Sequence, residues 1–379
     1  MEGAIERRDD VSIDDFVREF LEPNLPVVLG SGFTESWKAR AEWVVDGRPN
    51  FALLTRLYGD CTVQVAECDT AFFTDQKRVS MKFSEFVEQW QTNPQARLYC
   101  KDWHFTKSNP EYSAYTRLPH LSDDWIDLYY DLGIPEQNDD YRFCYMGGDG
   151  TWTPFHEDVY RSYSWSANIC GTKQWTLVPP GQNELFTDSL GHWMYNLYDY
   201  DAARFPRLCS LKKIEFVQRP GETVFVPSGW WHQVRNVGDT ISINHNWANE
   251  FNLRFLYARL TSDMAAVYYA LRDVADMDGF DEHAQLVLRA DSGIDYSGFF
   301  RFIEYMAQLY ISKLAEPAAA QALNRFDAYF QSPTSVRRAL CRIASVLDQL
   351  ATDAVTSRLS GLDASIARLR SRIASATGS

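Results

Sequence analysis

No run of 18 or more apolar residues occurs anywhere in this chain of 379 residues. A bilayer core needs about 20 of them in a row, so a membrane-spanning helix is excluded. The first residues, MEGAIERRDD, carry no apolar stretch of the secretory kind, and a leader is not expected. No two of the seven cysteines stand at CxxC spacing. An odd number of scattered thiols fits reduced structural cysteines in cytosol or nucleus, and excludes a disulfide framework or a zinc finger. Basic residues are short as well: 37 Lys and Arg face 51 Asp and Glu, a net charge of −14. Counterion release needs Lys and Arg against phosphates, so tight nonspecific nucleic-acid binding is excluded. The acidic balance suits a basic protein partner or plain solubility.

What is present is organised in three textures. Residues 1–140 read as mixed α/β: Ser12 with Asp15 resembles a capping box for a helix ending near Leu21. MKFSEFVEQW spaces Phe83, Phe86, Val87 and Trp90 as one helical face, and RLYC at 97–100 reads as a short strand. Residues 141–250 alternate short aromatic or β-branched runs with Gly and Pro, the pattern of an antiparallel sandwich or barrel. In TISINHNW, Thr240, Ser242, Asn244 and Asn246 share one face, and Ile241, Ile243, His245 and Trp247 the other. A polar row at a barrel mouth is a pocket lining. The stretch 181–213 reads as an insertion between strands.

Residues 251–379 turn helical. Val355, Leu359, Leu362, Ile366, Leu369 and Ile373 step by four and three, a heptad seam. That seam pairs with a second copy as a homodimer contact, or lies on the chain's own core. The fold class is therefore α+β, with a β core between a mixed N-terminal region and a C-terminal helical region.

The chemistry concentrates on His156 and Asp158. In extended backbone, residues i and i+2 point to one side, so both can reach one metal while Glu157 faces away. His232, at the end of a strand after Pro220-Gly221, supplies a third ligand. Two imidazoles and one carboxylate leave three positions of an octahedron open, the arrangement of non-haem Fe(II) oxygenases. Zinc favours a closed tetrahedron, and no thiolate stands in this cluster. Lys173, in GTKQW, offers a cation for the distal carboxylate of 2-oxoglutarate; taken alone it is a solvated strand-edge lysine. Thr153 can add a hydroxyl to the same carboxylate. Trp152, Phe155, Trp165, Trp230 and Trp231 could exclude water, though most read as core.

The runs MGGDGTWTPFHED, WSANICGTKQWTLVPPG, GETVFVPSGWWHQVRN and TISINHNW resemble the JmjC domain of Fe(II)- and 2-oxoglutarate-dependent oxygenases. Further runs, EPNLPVVL, LYGDCTVQVA, LYCKDWH, DDYRFCYMG and YRSYSW, resemble a stand-alone lysyl hydroxylase branch of that family. The likeness spans about residues 15–310 and fades over the last 70 or so. It implies a double-stranded β-helix (jelly-roll, cupin-like) core at 141–250. It also implies iron ligands His156, Asp158 and His232, and cosubstrate contacts from Lys173, Thr153, Tyr99 and Asn244. Ser166 stands where some relatives carry Asn. Asn168, two residues on, should point the same way and substitute for it.

The implied activity is hydroxylation of a protein side chain: 2-oxoglutarate and O2 become succinate and CO2 while a hydroxyl enters an unactivated C–H bond. By the same resemblance the substrate is a lysine in the stop-codon-reading domain of eukaryotic peptide-chain release factor subunit 1, in translation termination. Compartment follows as cytoplasm, with nucleus open. A histone or methyl-lysine demethylase is the alternative; the acidic charge and the absence of a zinc-reader set weigh against it. An inactive binding module is disfavoured because all three ligands and the lysine are present. Asp102, in KDW, stands ready either to meet a substrate ammonium or to cap a strand end.

Overall fold

The computed structural model describes residues 4–72, 75–134 and 139–378. Two compact units emerge: Met1–Leu118 with Asp140–Asp158 and Tyr163–Asn246, and Pro119–Asp139 with Val159–Ser162 and Trp247–Ser379.

The first unit is built on one ten-stranded sheet. Its strands are β1 (Glu6–Arg8), β2 (Val27–Leu29), β3 (Thr62–Phe72), β4 (Asp75–Lys82), β5 (Leu98–Trp103), β6 (Arg142–Gly147), β7 (Tyr163–Val178), β8 (Ile214–Gln218), β9 (Thr223–Val226) and β10 (Trp231–Trp247). They run in the order β1-β2-β9-β7-β10-β6-β5-β3-β4, with β8 paired to β7 outside that path. Apart from the parallel pair β1/β2, the described registers are antiparallel. A division near residue 140 is therefore not a domain boundary. Strands from residues 1–118 hydrogen-bond into the same sheet as the barrel strands, because β5 finds its partner in β6 and β2 finds its partner in β9.

Two strands are long enough to serve both faces of the jelly roll. β7 has 16 residues and β10 has 17. The first half of β7 pairs with β9 through Ser164–Ala167, and the second half pairs with β8 through Lys173–Leu177. Between them Gly171 adopts φ +71°, a conformation that costs an L side chain strain and glycine little. A Cβ there would lie 2.2 Å from the Asp239 carbonyl oxygen. Glycine is thus needed twice over at this bend, for its torsion and for its bulk.

Local sequence explains the elements around the sheet. Helix α1 (Phe83–Thr92) buries Phe83, Phe86, Val87 and Trp90, and the Lys82 amide donates to the Glu85 carboxylate at 3.1 Å to close its first turn. The Ser12 hydroxyl accepts from the Asp15 amide at 3.1 Å and opens a helical segment that ends in a π turn at Leu21. The insertion between β7 and β8 is not a free loop. Phe186, Met194, Phe205 and Leu208 pack with Phe155, Val178 and Trp231 in one buried cluster.

The second unit is helical: α2 (Trp125–Asp131), α3 (Leu253–Ala270), α4 (Phe280–Ser292), α5 (Tyr296–Ala315), α6 (Pro333–Thr352) and α7 (Leu362–Thr377). The Asp353 carboxylate ties two of these helices by accepting from Tyr257 at 2.8 Å and Tyr296 at 2.9 Å. The heptad seam resolves here. Leu362, Ile366, Leu369 and Ile373 are buried, and α7 packs on α5 and α6 of the same chain. Of the two readings of the seam, the chain's own core is the one realised: the apolar stripe is consumed inside the unit, where each fully buried side chain contributes about 1.5–3 kcal/mol. Among the described residues, no helix is long and apolar enough to cross a membrane.

Candidate active site

Residues 152–156 run antiparallel beside the start of β10. The Thr153 amide donates to the Val234 carbonyl at 3.0 Å. His156 and His232 exchange both main-chain hydrogen bonds, at 3.0 and 2.7 Å. Residues paired in this way project side chains to one face, which is how two histidines 76 positions apart come to stand with ring centroids 4.3 Å apart. Asp158 completes the cluster: one ligand atom from each of the three residues lies within 4.8 Å of the others.

The rings are oriented for a metal. His156 Nδ1 lies 2.7 Å from the Pro154 carbonyl and His232 Nδ1 lies 3.1 Å from the Trp230 carbonyl. A carbonyl only accepts, so Nδ1 carries the proton in each ring and the Nε2 lone pair is left for a ligand bond. Burial and then the neighbouring His232 hold His156 below the usual imidazole range, which keeps the ring neutral as metal ligation requires. The Asp158 carboxylate is fixed at both oxygens. Ser164 Oγ donates to Oδ2 at 2.7 Å and Asn246 Nδ2 donates to Oδ1 at 2.8 Å.

The triad opens into a cavity of about 470 Å³, counting the space at its mouth. Lys173 lies at its lining and is only 2% exposed. Among the described residues its one hydrogen-bond partner is the Tyr99 phenol, 3.3 Å away, and no carboxylate pairs with it. Burial lowers its pKa to about 7. A buried ammonium facing a cavity without an anion is a receptor for one, and a dicarboxylate chelating the triad at one end brings one at the other. The rings of Tyr99 and Tyr145 lie 6.0 and 5.8 Å from Nζ. The residues present therefore fit Fe(II) and 2-oxoglutarate together.

Of the residues singled out in the sequence, the cavity gathers His156, Asp158, His232, Tyr99, Thr153, Lys173 and Asn244. The Thr153 hydroxyl accepts from the Val234 amide at 3.3 Å, and Asn244 Oδ1 accepts from Ser166 Oγ at 3.1 Å. Asn168 is not gathered and is corrected: it is fully buried, with Nδ2 donating to the Gly171 carbonyl at 2.8 Å. The reason is the bend in β7. Ser164 and Ser166 line the cavity before it, Lys173 and Trp175 after it, so the alternation changes phase between them. Asn168 is spent holding the bend.

Asp102 lies outside the cavity lining. It sits at φ +57°, pairs with Arg78 at 2.7 Å and accepts from the Tyr145 phenol, so its charge is already met. Trp152, Phe155, Trp165, Trp230 and Trp231 stay outside the lining; Trp165 stacks on His245 at 4.2 Å. Sequence reasoning missed Ser164, Tyr145 and Trp175 as site residues. Asn246 was read only as part of the polar row lining a pocket, and its hold on Asp158 was not foreseen.

This fold and this triad define a class: the chain belongs to the cupin-like domain family, which matches residues 13–253, and is a 2-oxoglutarate- and iron-dependent dioxygenase of the JmjC type. Its relatives are specific. It is 44% identical to "Arginine-specific demethylase JMJ20" of Arabidopsis thaliana over 79% of this chain and 70% of that protein. It is 40% identical to "2-oxoglutarate and iron-dependent oxygenase JMJD4" of Gallus gallus over 82% of this chain and 75% of that protein. The Homo sapiens protein of the same name is 39% identical over 81% and 76%.

Proposed function

We propose that this dioxygenase is a lysyl hydroxylase acting on eukaryotic peptide-chain release factor subunit 1 in the cytoplasm. The observation that carries the oxygenase half of this reading is the pairing of the triad with a buried lysine that has no anion of its own. His156, Asp158 and His232 would hold the iron through two Nε2 atoms and one carboxylate oxygen. Lys173 and Tyr99 would hold the distal carboxylate of 2-oxoglutarate. Bound together, iron and cosubstrate supply oxygen activation coupled to oxidative decarboxylation. The protein's own part is to fix the ligands, through Ser164 and Asn246 on Asp158 and through the two carbonyls on the imidazoles.

Support for the lysine substrate is the long sequence resemblance to the stand-alone hydroxylase branch, together with the net charge of −14, which suits a basic target segment. A second reading has its own support in the relative named an arginine-specific demethylase. Both begin with removal of hydrogen from a C–H bond, and they differ in which carbon faces the iron. The deciding experiment incubates enzyme, Fe(II) and 2-oxoglutarate with the release factor, and separately with methylated-arginine peptides, followed by mass spectrometry. One added oxygen on a release-factor lysine supports the hydroxylase. Loss of a methylene with formaldehyde release from methylarginine, and an unchanged release factor, would replace it.

A further inference from the structure

The helical unit contains a second cavity, of about 530 Å³ counting its mouth, in which no iron-site residue takes part. Helices α2, α3 and α5 supply its apolar walls, among them Ile126, Leu256, Leu260, Phe299 and Phe302, with Ile294 from the connection before α5. Tyr129, Tyr130 and Tyr160 add three phenols. Apolar clefts edged by a few convergent polar groups have the character of small-molecule sites, and this lining fits that description.

Its polar wall restricts what could enter. Arg259 Nε donates to Asp263 at 2.8 Å and Ser292 Oγ donates to the same carboxylate at 3.0 Å. The pair neutralises itself, so the wall offers no net charge to attract an ion. A carboxylate has about four lone-pair directions, and two donors leave about two of them for a ligand. The matching ligand is uncharged and largely apolar, with at least one N–H or O–H donor.

One wall is under strain. Tyr160 and Arg161, neither of them glycine, stand in succession at φ +58° and +52°. That region disfavours L residues, and outliers of this kind cluster where a protein stores a switch. The Tyr160 phenol is seated at Gly293, where a Cβ would lie 2.5 Å from its oxygen. Tyr160 follows the iron ligand Asp158 by two residues. A movement of this ring that is carried by its backbone therefore reaches torsions immediately beside a metal ligand.

We propose that this cavity binds an uncharged, mainly apolar small molecule with at least one hydrogen-bond donor, and that Tyr160 couples its occupancy to the metal affinity of the triad. Because such coupling is reciprocal, it is read from either ligand. The full-length protein is titrated with N-phenyl-1-naphthylamine, a neutral fluorescent probe with one N–H, with and without Mn(II) as a redox-inert metal. One saturable site is expected. Filling the cavity by Leu260→Phe, or independently by Ile294→Phe, should weaken the dye at least tenfold while circular dichroism and Mn(II) affinity stay as in the parent. Saturating dye should shift the Mn(II) dissociation constant by about fivefold or more. Tyr160→Gly, which relieves the torsion, should still bind dye and lose that shift. Absence of saturable binding, or parent-like dye affinity in either folded filled variant, overturns the site. An Mn(II) affinity indifferent to the dye overturns the coupling.

Discussion

Lys173 is the residue at which stability and function pull in opposite directions. Its pKa of about 7 in the ligand-free fold lies below the ordinary lysine value of about 10.4. Between those values the unfolded chain binds more protons than the folded one. Stability of the ligand-free protein therefore rises with pH across that window, and the cost of burial is fully present below about pH 7. Lys173→Met should raise the melting temperature at pH 7, by an equivalent of roughly 1–3 kcal/mol, while abolishing 2-oxoglutarate turnover; the gain should shrink towards pH 10. Binding of the dicarboxylate restores the charge, so 2-oxoglutarate affinity should weaken as pH rises from about 7 to 9, measurable by calorimetry. Ser164→Ala should leave the fold intact and weaken iron affinity about 10–100-fold, read as the Fe(II) concentration for half-maximal succinate formation. At this scale the triad and Lys173 were legible because a charged or ligating residue in a β-rich stretch is unusual. Ser164 was not legible, because a serine in a strand carries no signal until its neighbour is known.

Among elements, β7 carries the most. Sequence alternation placed Asn168 beside Ser166, but its amide is engaged by the Gly171 carbonyl, and past that glycine the alternation runs in the opposite phase. A change of phase is invisible in a pattern of period two unless the bend itself is recognised, and Gly171 in NICGTKQ was the mark of it. Gly171→Ala should destabilise the protein by roughly 2–4 kcal/mol, since it adds both left-handed strain and a clash with a main-chain oxygen. Denaturant unfolding checks this, and the surviving folded fraction should bind 2-oxoglutarate poorly because Lys173 is re-aimed. At the other end of the chain, the period of α7 announced an apolar stripe without saying what covers it. With Ile366 fully buried, Ile366→Asp should cost about 3–5 kcal/mol, with no change of mass in solution for the fraction that stays folded.

At the scale of the molecule, the antiparallel β core and the helical C-terminal region were legible from texture alone. The partition of the chain was not. Residues 119–139 and 159–162 join the helices, while the N-terminal strands join the sheet. Such exchanges depend on which edge a strand finds, and local periodicity does not record that. The net charge of −14 belongs to this scale as well. If the target segment is basic, raising salt from 50 to 300 mM should raise KM for the protein substrate several-fold. Turnover of 2-oxoglutarate without substrate should scarcely change, because screening acts on long-range attraction between surfaces.

The bend in β7 has one more effect. Ser164, which grips the iron-binding carboxylate, and Lys173, which awaits the cosubstrate, belong to one continuous strand bent at Gly171. Covalent geometry sets the gap between two points on one bent strand more rigidly than packing sets it between two separate strands. The strand thus acts as a gauge for chain length. A keto diacid one carbon shorter, such as oxaloacetate, would reach the metal and leave the ammonium unmet, and discrimination between the two acids would be written into the curvature of one strand.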